Sequence, residues 1–206
     1  SWDPQMGSGA SVKGLAMSAS TLYAVGNFSS AAGSTRNHAA AFNLADASLV
    51  GAWNPNLDAE ARAVTLVGAD VYIGGLFTAA TGGVARAYVA GFDPAGNLLP
   101  LNVAASNVVT SLASSGTQLY LGGAFSSVLA TTRNRAAAVD TATGGLLPFD
   151  PNPNNTVSAF AVKGSHVYLG GPFTSVGSGG SIVSRSGLAA VQADTGAPVT
   201  AWSANL

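Results

Sequence analysis

The sequence predicts an all-β chain of four tandem repeats, read as a β-propeller of four four-stranded blades, standing alone or belonging to a larger propeller or array. Three observations predict it. One aromatic motif recurs four times without losing phase, apolar residues alternate with period two around it, and no stretch carries the 3.6-residue periodicity of a helix.

The motif tyrosines are Tyr23, Tyr72, Tyr120 and Tyr168, spaced 49, 48 and 48, and each is followed five residues later by Phe28, Phe77, Phe125 or Phe173. The clearest copies read YIGGLFT, YLGGAFS and YLGGPFT, and the first is a degenerate YAVGNFS. Eight residues before each Tyr stand Leu15, Val64, Leu112 and Phe160, and six before stand Met17, Leu66, Ser114 and Val162. This alternation predicts a first strand with one buried face. Ala19, Gly68, Gly116 and Gly164 then mark hairpin turns, and the Tyr segment is the second strand. A third apolar strand follows in AAAFN, VAGFD, AAAVD and LAAVQ, closed by turns such as Asp140 to Gly144 and Asp194 to Gly196. A fourth run ends at a bulky column of Trp53, Leu101, Phe149 and Trp202, with Trp2 in the same phase.

Four strands at this rhythm predict one blade per repeat, at about 5–53, 54–101, 102–149 and 150–202, in a single domain over 1–206. A sheet of this size cannot bury both faces alone, so copies packed face to face supply the core. The paired glycines Gly74-Gly75, Gly122-Gly123 and Gly170-Gly171 mark a bulge, or a place where another backbone or ring comes close, such as an aromatic from the adjacent blade. A β-solenoid or two-sheet stack is the rival reading, although solenoid coils are usually shorter. A closed ring of four would be small for a propeller, and a segment of a longer array or a subunit completed by its neighbour would show the same phasing, so closure stays open.

Charged residues are 8% of the chain, against about 25% in ordinary globular proteins, and the net charge is −1. Eight Lys and Arg against nine Asp and Glu leave no excess for phosphates, which argues against nucleic acid as a partner. The longest uncharged stretch, Pro94 to Thr132, is broken by polar residues, glycine and proline, so no membrane span is expected. A surface this neutral favours self-association over dispersal. With 0 Cys there is neither a disulfide framework nor a thiolate metal site. The absence of an initiator Met and of a leader before Ser1 is read as a mature form or a segment of something longer.

The core motif, the Arg that follows, the apolar third strand, the TG turn and the W/F-[ND]-P-N close together resemble a repeat family of bacterial secreted and cell-surface propellers, sometimes called the delta-sixty type. Units of fungal cortical-marker propellers look similar. The resemblance covers essentially the whole chain. It implies the propeller fold and an extracellular or cell-surface location, with a prokaryotic source, and is nearly mute about activity. Departures lie at Ala24-Val25, at Leu101-Asn102-Val103 and in a longer loop from Ser175 to Ser184.

Arg36, Arg86, Arg133 and Arg185 recur once per repeat after the motif Phe, with Arg135 beside one of them. They are weak ligand-binding candidates, a guanidinium ring for a carboxylate-bearing glycan or another anion. Recurrence in every repeat favours the alternative, a structural Arg that satisfies loop carbonyls. Asp58 and Glu60 form the one local acidic cluster, too few for a calcium loop or a glycosidase pair, and read as a solvated turn. Asp3, Asp93, Asp140, Asp150 and Asp194 fall at turn phases and read as side-chain caps. His38 and His166 occupy different phases and read as loop residues. No catalytic residue, metal site or cofactor is expected. The expected function is a non-catalytic secreted or surface structural or interaction module that binds other protein surfaces or copies of itself. Carbohydrate or protein binding by blade-specific loops is the alternative, and a glycan-active propeller enzyme a third reading.

Overall fold

The computed structural model describes residues 3–204; Trp2, which the repeat phase singles out, lies outside them. The chain divides into two compact units, 1–102 and 103–206, and each holds two repeats.

In the first unit, β1 (Ser11–Met17) turns into β2 (Thr21–Asn27). A two-residue ribbon follows, β3 (Ser30–Ala31) with β4 (Ser34–Thr35), and β5 (Ala39–Asn43) returns to β2. Repeat two repeats this plan with β6 (Ala61–Val67), β7 (Asp70–Gly75), β8 (Ala79–Ala80), β9 (Val84–Ala85) and β10 (Val89–Phe92). In the second unit, repeat three holds β11 (Val109–Ser115), β12 (Gln118–Gly123), β13 (Ser127–Val128), β14 (Thr131–Thr132) and β15 (Ala136–Asp140). Repeat four holds β16 (Ala159–Lys163), β17 (His166–Gly170), β18 (Ser175–Val176), β19 (Val183–Ser184) and β20 (Leu188–Gln192), with a short 3-10 turn, Gly179–Ser181, in its longer loop.

Each repeat therefore contributes an antiparallel sheet of three strands with the Tyr strand in the middle, and the expected hairpins, Tyr strands and third strands all form. The fourth run is different from expectation. It is reduced to one antiparallel bridge per repeat: Phe42 with Leu49, Phe92 with Leu98, Val139 with Leu146 and Val191 with Pro198. After one further main-chain bond, such as Leu147 N–H to Ala138 O at 2.8 Å, the run leaves the sheet. Pro100 and Pro148 lie just beyond in repeats two and three and have no N–H to extend a ladder.

Close approach explains Gly122 and the second glycine of each pair, Gly75, Gly123 and Gly171. A methyl group on Gly123 would lie 2.1 Å from Val108 O, where the β11–β12 register slips between Val109 and Ser111. Gly122 would meet the Phe160 ring at 2.6 Å, so in this repeat the expected aromatic from the next sheet is present.

Two faces build each core. In the first unit, Tyr23, Val25, Ala39, Ala41 and Trp53 of repeat one meet Val71, Ile73 and Phe92 of repeat two, with Val64 and Leu66 packed against them. In the second, Tyr120, Ala136, Ala138 and Phe149 of repeat three meet Val167, Leu169 and Val191 of repeat four, with Phe160 and Val162 at the margin. The motif phenylalanines Phe28, Phe77, Phe125 and Phe173 are all buried. The repeat Tyr stacks edge-on against the bulky closing residue of its own repeat, with centroids 5.0 Å apart for Tyr23–Trp53, 5.1 Å for Tyr120–Phe149 and 5.4 Å for Tyr168–Trp202. Repeat two closes on Leu101, which offers no ring. There Tyr72 instead lies over Gly91, whose added methyl would meet Tyr72 Cε1 at 2.6 Å; the other repeats have Ala at this pairing position.

One strand departs from the expected burial. Leu15 and Met17, on the face that should be covered, are 61% and 67% exposed, whereas Val64 and Leu66 at the same phase pack against a core.

Trp53→Ala is expected to cost about 3–5 kcal/mol, because it empties the centre of the first core between Tyr23 and Phe92. Ala47 has φ +62 at the turn phase where repeats two, three and four place Gly96, Gly144 and Gly196, so Ala47→Gly is expected to stabilise by roughly 0.5–1 kcal/mol. Urea denaturation of both variants beside the parent checks each sign.

Candidate functional site

The once-per-repeat arginines sit at the foot of the two-residue ribbons, and each uses its guanidinium on main-chain carbonyls. Arg36 donates to Thr35 O and Gly51 O, both at 2.8 Å, and Arg86 to Ala85 O at 2.9 Å and Leu99 O at 3.0 Å. Arg133 donates to Thr132 O at 2.9 Å and Leu147 O at 3.3 Å. Arg185 reaches Ser184 O at 2.8 Å and both Thr200 O and Trp202 O at 3.1 Å. The second acceptor is always in the run that fails to become a fourth strand, so the side chain replaces a missing ladder bond. Arg133 also lies 3.7 Å from Asp150 Oδ2. The geometry is that of a structural staple, the alternative that recurrence favours.

Two residues after each Arg the backbone turns left-handed, at His38, Tyr88, Arg135 and Gly187. His38 and Arg135 thus share one structural position. His38 Nδ1 lies 3.2 Å from Gly26 O, and Arg135 Nη1 donates to Ala124 O and Phe125 O. His166 Nδ1 contacts Ser165 Oγ at 3.3 Å.

Asp58 belongs to a column that identity alone hides. Its carboxylate accepts from Thr78 N–H at 2.8 Å, Thr78 Oγ1 at 2.8 Å and Ala79 N–H at 3.0 Å. Forty-eight residues on, Ser106 Oγ accepts from Ser126 and Ser127 N–H, and after the same interval Asn154 Oδ1 accepts from Thr174 and Ser175 N–H. Three different residue types thus cap the turn after the motif Phe with one short side-chain oxygen. The 48-residue interval is the signal that could have found them. Glu60 pairs with Arg62 at 3.0 Å on the surface.

Of the turn aspartates, Asp3 caps Gln5 N–H, Asp93 accepts from Asn97, Asp140 from Ala142, Thr143 and Thr117, and Asp194 from Thr195. Hydrogen bonds from the Asn97 side chain and N–H hold Asp93 below the usual carboxylate range, and those from Thr117 and Thr143 do the same for Asp140. At Asp58 burial opposes ionisation, but the donors of Ala79 and Thr78 outweigh it and its carboxyl is also lowered.

The remaining concavity of interest is a groove of about 290 Å³ in the second unit, lined by Asn134, Arg135, Asn152, Asn154, Gly177 and Ile182 among others. Its amides are tied to one another and to the loop: Asn134 Nδ2 donates to Asn152 Oδ1 at 2.8 Å and Asn152 Nδ2 to Gly177 O at 3.2 Å. It offers amide edges and one exposed aliphatic wall, Ile182. Among the described residues no cluster of three or more His, Cys, Asp or Glu is placed to hold a metal ion, and no helix is long and apolar enough to cross a membrane.

No family model and no curated protein matches the chain. Solved structures do. The WD40 β-propeller domain of Doa1 superposes with a TM-score of 0.60 at 12% identity, over 94% of this chain and 55% of that one. The fold is that of a β-propeller. The computationally designed Ika4 protein gives a TM-score of 0.56 at 20% identity, covering 81% of this chain and 88% of its own. The designed Ika8 protein gives 0.57 at 14%, covering 92% and 60%. The chain thus spans little more than half the length of the Doa1 domain and 60% of Ika8. At these identities the likeness carries the propeller fold alone.

Arg36→Met, which keeps much of the buried stem and removes the donors to Gly51 O and Thr35 O, is expected to destabilise by about 1.5–3 kcal/mol in chemical denaturation. A pH series tests the capped carboxylates. Their folded pKa values are depressed, so the stability they contribute is fully present above about pH 4 and is lost as pH falls through the lowered values. An Asp58→Asn, Asp93→Asn, Asp140→Asn triple variant should start with a lower Tm at pH 7 and lose less of it between pH 4 and 2.

Proposed function

We propose that this propeller is a non-catalytic structural or interaction module, secreted or displayed on a cell surface, which works through contact with other protein surfaces, including copies of itself. The observation that carries the reading is the placement of exposed apolar side chains. Val12, Leu15 and Met17 stand exposed on β1 of a chain with 8% charged residues, while the recurrent polar residues are used internally. The four arginines hold carbonyls, and Asp58, Asp93 and Asp140 cap turns. A blade plan of four, with the fourth strand replaced by the Arg staple, is part of the same proposal. The extracellular location and the tie to secreted delta-sixty-type repeats rest on the motif resemblance.

Glycan binding is the second reading, favoured by the Asn134–Asn152 amide groove beside Ile182. Sedimentation velocity from low to high micromolar protein discriminates the two, with a glycan array run in parallel. The proposal expects a mass that rises with concentration and an empty array. A constant monomer mass together with selective glycan hits that disappear in Asn152→Ala would replace it with the second reading.

A further inference from the structure

The same pair of faces mates twice inside this chain. One face carries the repeat Tyr, the third-strand alanines and the closing aromatic; the other carries the two apolar first-strand residues, eight and six before the Tyr, and the apolar neighbours of the Tyr. Within the first unit, Val64 of repeat two sits against Gly14 of repeat one, its Cγ1 3.4 Å from where a Cβ on Gly14 would be. Within the second, the Phe160 ring of repeat four sits over Gly122 of repeat three.

Each half of this pair also has a copy whose side chains stand largely open. The first-strand half is open on β1, where Leu15 and Met17 take the places of Val64 and Leu66 and are mostly exposed. The tyrosine half is open on repeat four. Tyr168 and Trp202 are only half-buried, although Tyr23, Trp53, Tyr120 and Phe149 at the same phases are buried. Ala159 is exposed, whereas Ala63 and Ser111, which pair with the corresponding Gly74 and Gly122, are 8% and 7% exposed. Trp202 and Tyr168 therefore offer a stacked, partly open aromatic edge to a partner.

We propose that the β1 face of repeat one docks on the tyrosine face of repeat four in a second copy of this chain, with Leu15 against Ala159 and Met17 near Tyr168. The inference deepens the self-association reading and rests on it. The occupant is a copy because the complementary surface is carried by this sequence and its mating geometry is already realised between neighbouring repeats of both units. The contact is heterologous, so it propagates until a ring closes or a filament forms. Neither face needs a new chemistry, and a net charge of −1 opposes association weakly.

The chain has no cysteine, which makes the test clean. Leu15→Cys and Ala159→Cys chains are mixed at high micromolar concentration under mild oxidant. A Gly14→Cys, Val64→Cys double variant reports whether this geometry permits a disulfide within the established interface. The proposal expects the mixed Leu15→Cys/Ala159→Cys dimer to exceed either like-with-like dimer at least tenfold. Leu15→Asp, at an exposed position, is expected to weaken association at least tenfold with an unchanged Tm. If mass rises with concentration but Leu15→Asp leaves it unaltered and the mixed dimer is not enriched, the face assignment is overturned and self-association by another surface stands. A constant monomer mass overturns both. Enrichment of a Leu15→Cys self-dimer means a symmetric contact and also overturns the head-to-tail assignment.

Discussion

A three-stranded sheet that is apolar on both faces cannot hold itself together in water, and the molecule is organised around that constraint. Each Tyr strand is central in its sheet, so its side chains point to two faces that both need cover. In repeats one and three, one of these faces is covered by the next repeat of the same unit. Tyr23, Ala41 and Trp53 bury themselves against Val71, Ile73 and Phe92, and the arrangement recurs with Tyr120, Ala138 and Phe149 against Val167, Leu169 and Val191. Small residues on the third strand matter because the ring of the Tyr lies across them. Where the closing aromatic is missing, at Leu101, the third strand has become smaller still, Gly91, and the ring settles onto it. Two departures from the repeat that look independent are one packing adjustment.

The Arg staples follow from the same economy of strands. A fourth strand would leave a long open edge, with its carbonyls and N–H groups available to other chains. Instead the run makes one bridge, turns away, and gives its next carbonyl to a guanidinium fixed by the ribbon before the third strand. The staple ends the sheet without leaving that carbonyl unpaired. It also explains why Arg recurs in every repeat: the need it meets is created by each sheet separately.

Much of this plan was legible in the sequence. Tyr, Phe and the alternating first strand are read directly because large apolar residues keep their identity wherever burial is demanded. Positions defined by backbone geometry or by one oxygen atom do not keep identity. His38, Tyr88, Arg135 and Gly187 share a left-handed conformation, yet only the last is glycine. Asp58, Ser106 and Asn154 share a capping role across three residue types, so Asp58 read alone resembles an acidic cluster. The two-residue ribbons were invisible for another reason: a pair of residues is too short to show alternation. The exposure of Leu15 and Met17 was also beyond sequence reading, since their pattern is identical to that of Val64 and Leu66. Only the absence of a covering surface distinguishes them.

That last difference bears most directly on function. In a repeat protein the interior of each unit is satisfied by its neighbours, so recurrent residues report on folding. Whatever is particular to this chain must lie where the recurrence is broken, in loops of unequal length or at faces with no neighbour. The groove beside Ile182 belongs to the longest of the ribbon loops, but its amides bind one another before they can bind anything else. The β1 face is different. Its Leu15 and Met17 side chains are mostly exposed, and the Tyr168–Trp202 pair, at the phase that covers Val64 and Leu66 in the first unit, is itself only half-buried. The kind of surface that neighbouring repeats bury within a unit is therefore left open on β1 and around Tyr168.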